Sequence, residues 1–269
     1  MQVKGNKYVL ISTEEMIENC KPNIFESNVK SANNAVLSLV VPTYNEGENI
    51  TELVNRLESS LSFIGFELII VDDNSLDGTD QIVHALNSKY GNIKFLKRSG
   101  KLGLSSAVLH GFRNANTDIL VVMDADMQHP PEILPKLYRK FFEGYDLVVA
   151  SRYVEGGKVE GWTSRRMIVS KAATFLANVL LPKTRRIKDV MSGCFMLRRS
   201  ALDGVNLNPI GFKILLEVVA KCNLDLIAEV PYTFRNRRNG ESNFKPREML
   251  NYMTHLCRIV FPFMSDHDK

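Results

Sequence analysis

From Leu37 onward the hydrophobic positions alternate between two patterns. Short apolar runs are followed by stretches in which apolar residues recur every three or four positions. Residues 37–41 read as a buried strand. Residues 48–61 read as a helix, with Leu53, Val54, Leu57 and Leu61 on one face. The alternation continues as a strand over 66–71, a helix over 79–88, a strand over 92–96 and a helix over 105–114. A strand over 118–123, a helix over 131–143 and a strand over 146–150 complete it. Strands separated by helices in this way are βαβ units. They predict an α/β fold with a mainly parallel sheet and helices on both faces. Beyond 150 the pattern is less regular. It predicts helices over 167–181 and 246–264 and strands over 191–197 and 226–230.

The first 35 residues are polar, with a short helix expected over 13–19 behind Ser12 or Thr13 as cap. The organisation read from the chain is therefore an N-terminal extension, 1–35, an α/β domain, 36–245, and a C-terminal amphipathic helix, 246–269, with no transmembrane segment.

Open α/β sheets bind ligands outside the carboxyl ends of their strands. Three polar clusters fall at such ends: Pro42-Thr43-Tyr44-Asn45-Glu46, Asp72-Asp73-Asn74-Ser75 and Asp124-Ala125-Asp126-Met127-Gln128. Carboxylates gathered at one rim repel each other unless positive charge sits among them. If 124–128 is extended, Asp124, Asp126 and Gln128 point the same way and form a hard oxygen site suited to Mg²⁺ or Mn²⁺. The alternative is a solvated turn in which Asp126 caps the helix after Pro130. Asp72 or Asp73 can accept hydrogen bonds from a base or ribose, and Asp77-Gly78 marks a turn with Asp77 or Thr79 as cap.

Composition narrows the function. With 34 basic and 30 acidic residues among 269, the net charge of +4 carries no nucleic-acid-type excess. The basic residues are uneven, however. Seven lie between Gly161 and Lys188 with no acid among them, and five lie between Arg235 and Arg247 beside the single Glu241. Met167, Ile168, Phe175, Leu176, Val179, Leu180 and Leu181 are interleaved with the first group. This suits either a helix lying on an anionic leaflet or an amphipathic helix packed on the sheet. No run of 18 uncharged apolar residues occurs, so work at a membrane would be peripheral. Cys20, Cys194, Cys222 and Cys257 match no metal spacing and read as core thiols of a reducing, cytoplasmic compartment.

The clusters occur in a telling order. Val41-Pro42-Thr43-Tyr44-Asn45-Glu46, Val71-Asp72-Asp73-Asn74-Ser75, Gly100-Lys101-Leu102-Gly103 and Met123-Asp124-Ala125-Asp126-Met127-Gln128-His129-Pro130 are followed by Ser151-Arg152-Tyr153 and by Arg166 with Ser170. Asp189 with Ser192-Gly193-Cys194, Gly211-Phe212-Lys213, Glu229-Val230-Pro231 and Arg237 through Ser242 come next. Over about 37–245 the chain resembles the inverting GT-A (Rossmann-like) glycosyltransferases of family 2, and within them the dolichyl-phosphate (polyprenyl-phosphate) mannosyltransferases.

The resemblance implies roles. Pro42, Tyr44, Glu46, Val71, Asp72, Asp73, Lys101, Asp124 and Ala125 would bind the nucleotide. Asp124, Asp126 and Gln128 would hold Mg²⁺ or Mn²⁺. Arg152, Arg166 and Ser170 would grip the acceptor phosphate. Asp126, Arg152 and Arg237 would carry catalysis. The implied partners are GDP-mannose, dolichyl or polyprenyl phosphate, and the cytosolic face of a membrane, with or without small membrane subunits. A UDP-glucose donor and a non-catalytic subunit of the same fold are the alternatives. His129 reads as a residue that supports the ion site from behind or as a helix-entry residue, and Trp162 as either an acceptor contact or a loop anchor. Two positions depart from the family pattern: Lys171 stands where relatives carry Arg, and Cys194 where they carry an apolar residue.

Overall fold

In a computed structural model of the chain, residues 35–235 and 246–261 are described. The helix expected over 13–19 and Arg237 lie outside them. Seven strands form one sheet: β1 (Leu37–Thr43), β2 (Phe66–Asp72), β3 (Ile93–Lys97), β4 (Ile119–Val122), β5 (Leu147–Ser151), β7 (Phe195–Arg198) and β8 (Ile227–Pro231), in the order β3-β2-β1-β4-β7-β5-β8. All pairings are parallel except those of β7, which runs antiparallel to β4 and β5. Two short strands, β6 (Lys158–Val159) and β9 (Thr233–Phe234), pair beside it. The expected α/β sheet is the one found.

The helices cover both faces. Ile50, Leu53, Val54 and Leu57 of α1 (Gly47–Ser60), Val83 and Leu86 of α2 (Thr79–Tyr90), and Leu134, Leu137 and Phe141 of α4 (Leu134–Phe141) close one core against Leu39, Val41 and Ile70. On the other face α3 (Leu104–Asn114), α5 (Ser164–Leu180), α6 (Ile214–Lys221) and α7 (Pro246–Val260) pack on Val40, Ile69, Leu120 and Phe195. In β1, odd positions serve the first core and Val40 the second, the period-2 alternation of a strand covered on both faces. Helix α3 lies close because Gly111 has no side chain. A Cβ there would stand 2.4 Å from Val40 Cγ1.

The strand order places a switch point between β1 and β4, because the chain adds β2 and β3 on one side of β1 and β4 on the other. Pro42 is tolerated in this central strand for a local reason. The Val40 carbonyl accepts from Met123 N–H on the β4 side, and Pro42, two residues on, faces the same side after β4 has ended. The sheet opens at that point, directly above the Asp124 segment.

Several elements differ from the sequence pattern. The helix expected over 131–143 is a 3₁₀ turn, Pro131–Ile133, followed by the shorter α4, in which Pro135 sits in the first turn where its missing N–H costs nothing. The strand expected over 191–197 pairs only from Phe195. Asp189 is already at the rim, bonded to Arg152, so the chain must descend from there, which makes β7 antiparallel. Helix α6 was not anticipated because Ile-Leu-Leu-Glu-Val-Val is buried on all sides and shows no amphipathic period. Cys194 and Cys222 are buried, but Cys257 is exposed on α7.

Candidate active site

The loops after β1 and β2 are built as one unit. Asp72 Oδ1 accepts from Ser75 N–H at 2.8 Å, and its Oδ2 accepts from the hydroxyls of Ser75 and Thr43 at 2.5 and 2.9 Å. Asn45 N–H donates to Ser75 Oγ at 2.8 Å, and Asn45 and Asn74 both adopt positive φ. Asp77 takes Gly47 N–H at 2.8 Å on one oxygen and Thr79 on the other, which fixes the start of α1 against the turn into α2. Burial pushes the Asp77 carboxyl up, but its bonds from Thr79 and Gly47 outweigh this and hold it below the usual carboxylate range. Asp73 binds the Arg98 guanidinium and accepts Gly103 N–H at 2.8 Å, so it ties the Gly-rich loop before α3 to the rim. Arg98, absent from the sequence reading, is the positive charge that Asp73 required. Lys101 stacks its ammonium over the exposed ring of Tyr44, 3.8 Å from the centroid. Glu46 stands at the start of α1 and accepts from Asn49 at 2.6 Å. Pro42 lies in β1. Val71 and Ala125 are buried with their side chains in the two cores, so they offer a ligand only backbone.

The Asp124 segment is not extended. Asp126 Oδ1 accepts Gln128 N–H at 3.0 Å and Met127 has φ 61°, so the chain turns immediately after β4. The same-side alternation expected for 124, 126 and 128 therefore does not hold, and Asp126 caps this turn rather than the helix beyond Pro130. Asp126 and Gln128 are buried and Asp124 is partly open. Gly193 abuts Asp124 so closely that a Cβ would stand 2.4 Å from Oδ2. Among the described residues no three His, Cys, Asp or Glu side chains converge on a point. Two carboxylates and an amide oxygen suit Mg²⁺ or Mn²⁺, which leave further positions for phosphate oxygens. The donor chemistry thus fits such an ion, and only a glycine at 193 leaves room for the Asp124 carboxylate.

Near the Asp124 turn lies a cationic group, linked to it through the His129, Phe234 and Trp162 rings. Arg152, just past β5, is held in the fold by Asp189, which accepts its N–H, Nε and Nη2 at 2.9, 2.8 and 2.7 Å. Both residues are buried, and Asp189 is itself fixed through its N–H by Glu229 of β8 at 3.0 Å. Burial alone would lower the Arg152 pKa, but the bonds from Asp189 raise it above the ordinary value. Arg166, in the first turn of α5, stacks on Trp162 at 4.2 Å, and the Arg152 guanidinium lies 5.2 Å from the same ring. Ser170, one turn after Arg166, shares a hydrogen bond of 3.0 Å with Tyr153. The structure therefore brings Arg152, Arg166 and Ser170 together.

An aromatic cluster joins the two halves. His129 stacks on Tyr232 at 5.1 Å and meets Phe234 edge-on, and Trp162 packs edge-on against the same Phe234. His129 is 3.8 Å from Asp124 Oδ2. Burial and the Arg152 charge bring its pKa down to about 3, so it is neutral. Its ring nitrogens, Trp162 Nε1 and the Tyr232 hydroxyl are buried without a hydrogen-bond partner among the described residues. Lys213, just before α6, completes the group. Burial and Arg152 bring its pKa down to about 7. Neither Arg98 nor the Arg152–Asp189 pairing had a local sequence signal, since the partners are separated by 25 and 37 residues.

The family described as Glycosyl transferase family 2 matches residues 38–205. The chain belongs to this family. A dolichol-phosphate mannosyltransferase of Pyrococcus furiosus is 46% identical over 224 residues, which are 83% of this chain and 63% of that protein. The protein of the same name from Saccharomyces cerevisiae is 39% identical over 239 residues, 84% of this chain and 88% of its own. The chain thus spans under two thirds of the archaeal relative's length and most of the yeast relative's. Among solved structures, a glucosyl-3-phosphoglycerate synthase from Mycobacterium tuberculosis in complex with Mn²⁺ and UDP-glucose matches with a TM-score of 0.64. It is 20% identical over 85% of this chain and 80% of that one, so the likeness is one of fold.

Proposed function

We propose that this family 2 glycosyltransferase transfers mannose from GDP-mannose to dolichyl or polyprenyl phosphate, with inversion at the sugar's C1. The observation that carries the reading is the juxtaposition of an acidic turn after β4 with the Arg152–Arg166 group, linked through His129, Phe234 and Trp162. The two named relatives, 46% and 39% identical, support the same acceptor. Asp124, Asp126 and Gln128 would hold Mg²⁺ or Mn²⁺, whose positive charge offsets the charge that builds on the departing diphosphate. Pro42, Tyr44, Glu46, Lys101 and the backbone beside Val71, Asp72, Asp73 and Ala125 would bind the nucleotide. Asp72 and Asp73 serve it mainly by shaping the rim.

Arg152, Arg166 and Ser170 would hold the acceptor phosphate. That phosphate is already an anion, so an oxygen of it attacks C1 while the bond from C1 to the diphosphate oxygen breaks and the nucleoside diphosphate leaves. No proton has to be removed from the nucleophile, so neither Asp189, which is committed to Arg152, nor His129, which is packed on Tyr232 and Phe234, is required as a base. Attack opposite the leaving group converts an α-linked donor into a β-linked lipid phosphate sugar. Arg237 belongs to the proposed set by family resemblance alone.

The lipid would arrive along α5 and α7. Ile168, Phe175 and Val179 on α5 and Leu250 on α7 are exposed, and Arg165 and Lys171 accompany them. No helix among the described residues is long and apolar enough to cross a membrane. This surface would therefore rest on the cytosolic leaflet, directly or through small membrane subunits.

The test is turnover of purified protein with Mg²⁺ or Mn²⁺ and a short polyprenyl phosphate, comparing labelled GDP-mannose with labelled UDP-glucose. Label from GDP-mannose alone should enter the organic phase. Label from UDP-glucose instead would keep the acceptor and change the donor. Transfer from neither, with nucleotide still bound, would overturn the reading for the chain by itself.

A further inference from the structure

Lys213 carries an enclosed ammonium in this region. Its ammonium is enclosed by protein, while the residue as a whole keeps partial access to solvent. Among the described residues it donates one hydrogen bond, to the Met191 carbonyl at 3.0 Å, and lies over the ring of Phe212. Among the described residues no carboxylate comes within 4.0 Å of it. An ammonium has three protons to donate, and enclosing one with a single carbonyl acceptor is unfavourable unless something else supplies negative charge.

Its position says what that something is. Met191 belongs to the short loop between α5 and β7. At one end of this loop Asp189 grips Arg152, and at the other Gly193 abuts Asp124. The charges acting on Lys213 are Arg152 and Arg166 on the positive side and Asp124 and Asp189 on the negative side. Asp189 is already spent on Arg152. Lys213, Arg152 and Arg166 thus act on one another beside Asp124, and the buried donors Trp162 Nε1 and the Tyr232 hydroxyl have no partner among the described residues.

We infer that Lys213 is a third binding cation for the acceptor's phosphate monoester, beside Arg152 and Arg166. The assignment rests on the acceptor reading above and adds a residue to it. Arg152 contributes a guanidinium fixed in orientation by Asp189. Lys213 contributes a compact charge whose two remaining protons can follow the phosphate as its oxygen moves toward C1.

The test measures binding without turnover, using farnesyl phosphate, inorganic phosphate and GDP as probes on wild type, Lys213→Met and Lys213→Arg. In calorimetry, Lys213→Met should weaken farnesyl phosphate about tenfold, the scale of one lost charge-assisted hydrogen bond. GDP should bind as before, and Lys213→Arg should recover part of the loss. Ligand-free Lys213→Met should melt no lower than wild type, since it removes an underpartnered buried charge, and phosphate should raise the Tm of wild type but not of this variant. Unchanged farnesyl phosphate binding, or equal losses for GDP and farnesyl phosphate, would overturn the assignment. So would a Lys213→Met protein that fails to fold while Lys213→Arg folds, because that would make the lysine structural. Wild type that binds inorganic phosphate as tightly as farnesyl phosphate would make the ligand a free anion and not a lipid. Wild type that binds GDP and neither phosphate would instead overturn the acceptor reading itself.

Discussion

The two halves of the site differ in how their charges are satisfied. On the β1–β2 side the carboxylates of Asp72, Asp73 and Asp77 are matched by Ser75, Thr43, Arg98, Gly103, Gly47 and Thr79, all within the protein. On the β4–β5 side one buried pair, Arg152 with Asp189, anchors a group that stays electrically unfinished. Lys213 has a single acceptor, and His129, Trp162 and Tyr232 have buried polar atoms without one among the described residues. A rim that satisfies itself is preorganised and can receive a nucleotide without rearranging. A pocket left short of negative charge reaches its lowest energy only when an anion occupies it.

The strongest way to break this contrast is to remove its anchor. Asp189→Ala leaves the Arg152 guanidinium buried and unpaired. It should cost about 3–5 kcal/mol of stability in chemical denaturation; a loss below about 1 kcal/mol would mean the pair is not what holds the pocket. The next test concerns the acidic turn. Asp126→Asn keeps an acceptor for Gln128 N–H but removes the charge. Turnover at saturating substrates should fall about 10²–10³-fold, and a near-normal rate would remove Asp126 from the ion site.

Arg166→Ala sharpens the division between the halves. It should raise the KM for lipid phosphate about tenfold and leave that for the nucleotide sugar within about twofold. Equal effects on both would take Arg166 out of the acceptor pocket. The smallest effect belongs to the self-satisfied rim. The Asp77 carboxyl is held below its unfolded pKa of about 4. Its contribution is therefore complete above that pH and is lost as pH falls through the lower, folded value. Asp77→Asn should flatten that part of the Tm-versus-pH curve, and an unchanged acid slope would show that the bond to Gly47 carries no linkage.

The same contrast explains what the sequence could reveal. Strands such as 37–41 and 66–71 are continuous apolar runs because both faces of a parallel sheet are covered, and the acids at their ends stand out against them. The direction of β7 could not be read, since Phe-Met-Leu-Arg suits either direction and only the position of Asp189 at the rim decides. At Asp126 the sequence left an extended segment and a turn both open, because the turn needs Met127 at positive φ, which that residue type does not announce. Pairings such as Asp73 with Arg98 and Asp189 with Arg152 join segments 25 and 37 residues apart, so neither leaves a local pattern in the sequence. Trp162, open between two roles from sequence, proves to be the surface on which Arg166 stacks.

The central claim is that the pocket beside Asp124 accepts a phosphate as nucleophile and needs no protein base. The most direct measurement compares a prenyl phosphate with the matching prenyl alcohol as acceptor, using GDP-mannose and Mg²⁺, and identifies the anomeric linkage of the product. The account predicts a β-linked mannosyl phosphate from the phosphate and no transfer to the alcohol. Comparable transfer to the alcohol, or an α-linked product, would contradict it.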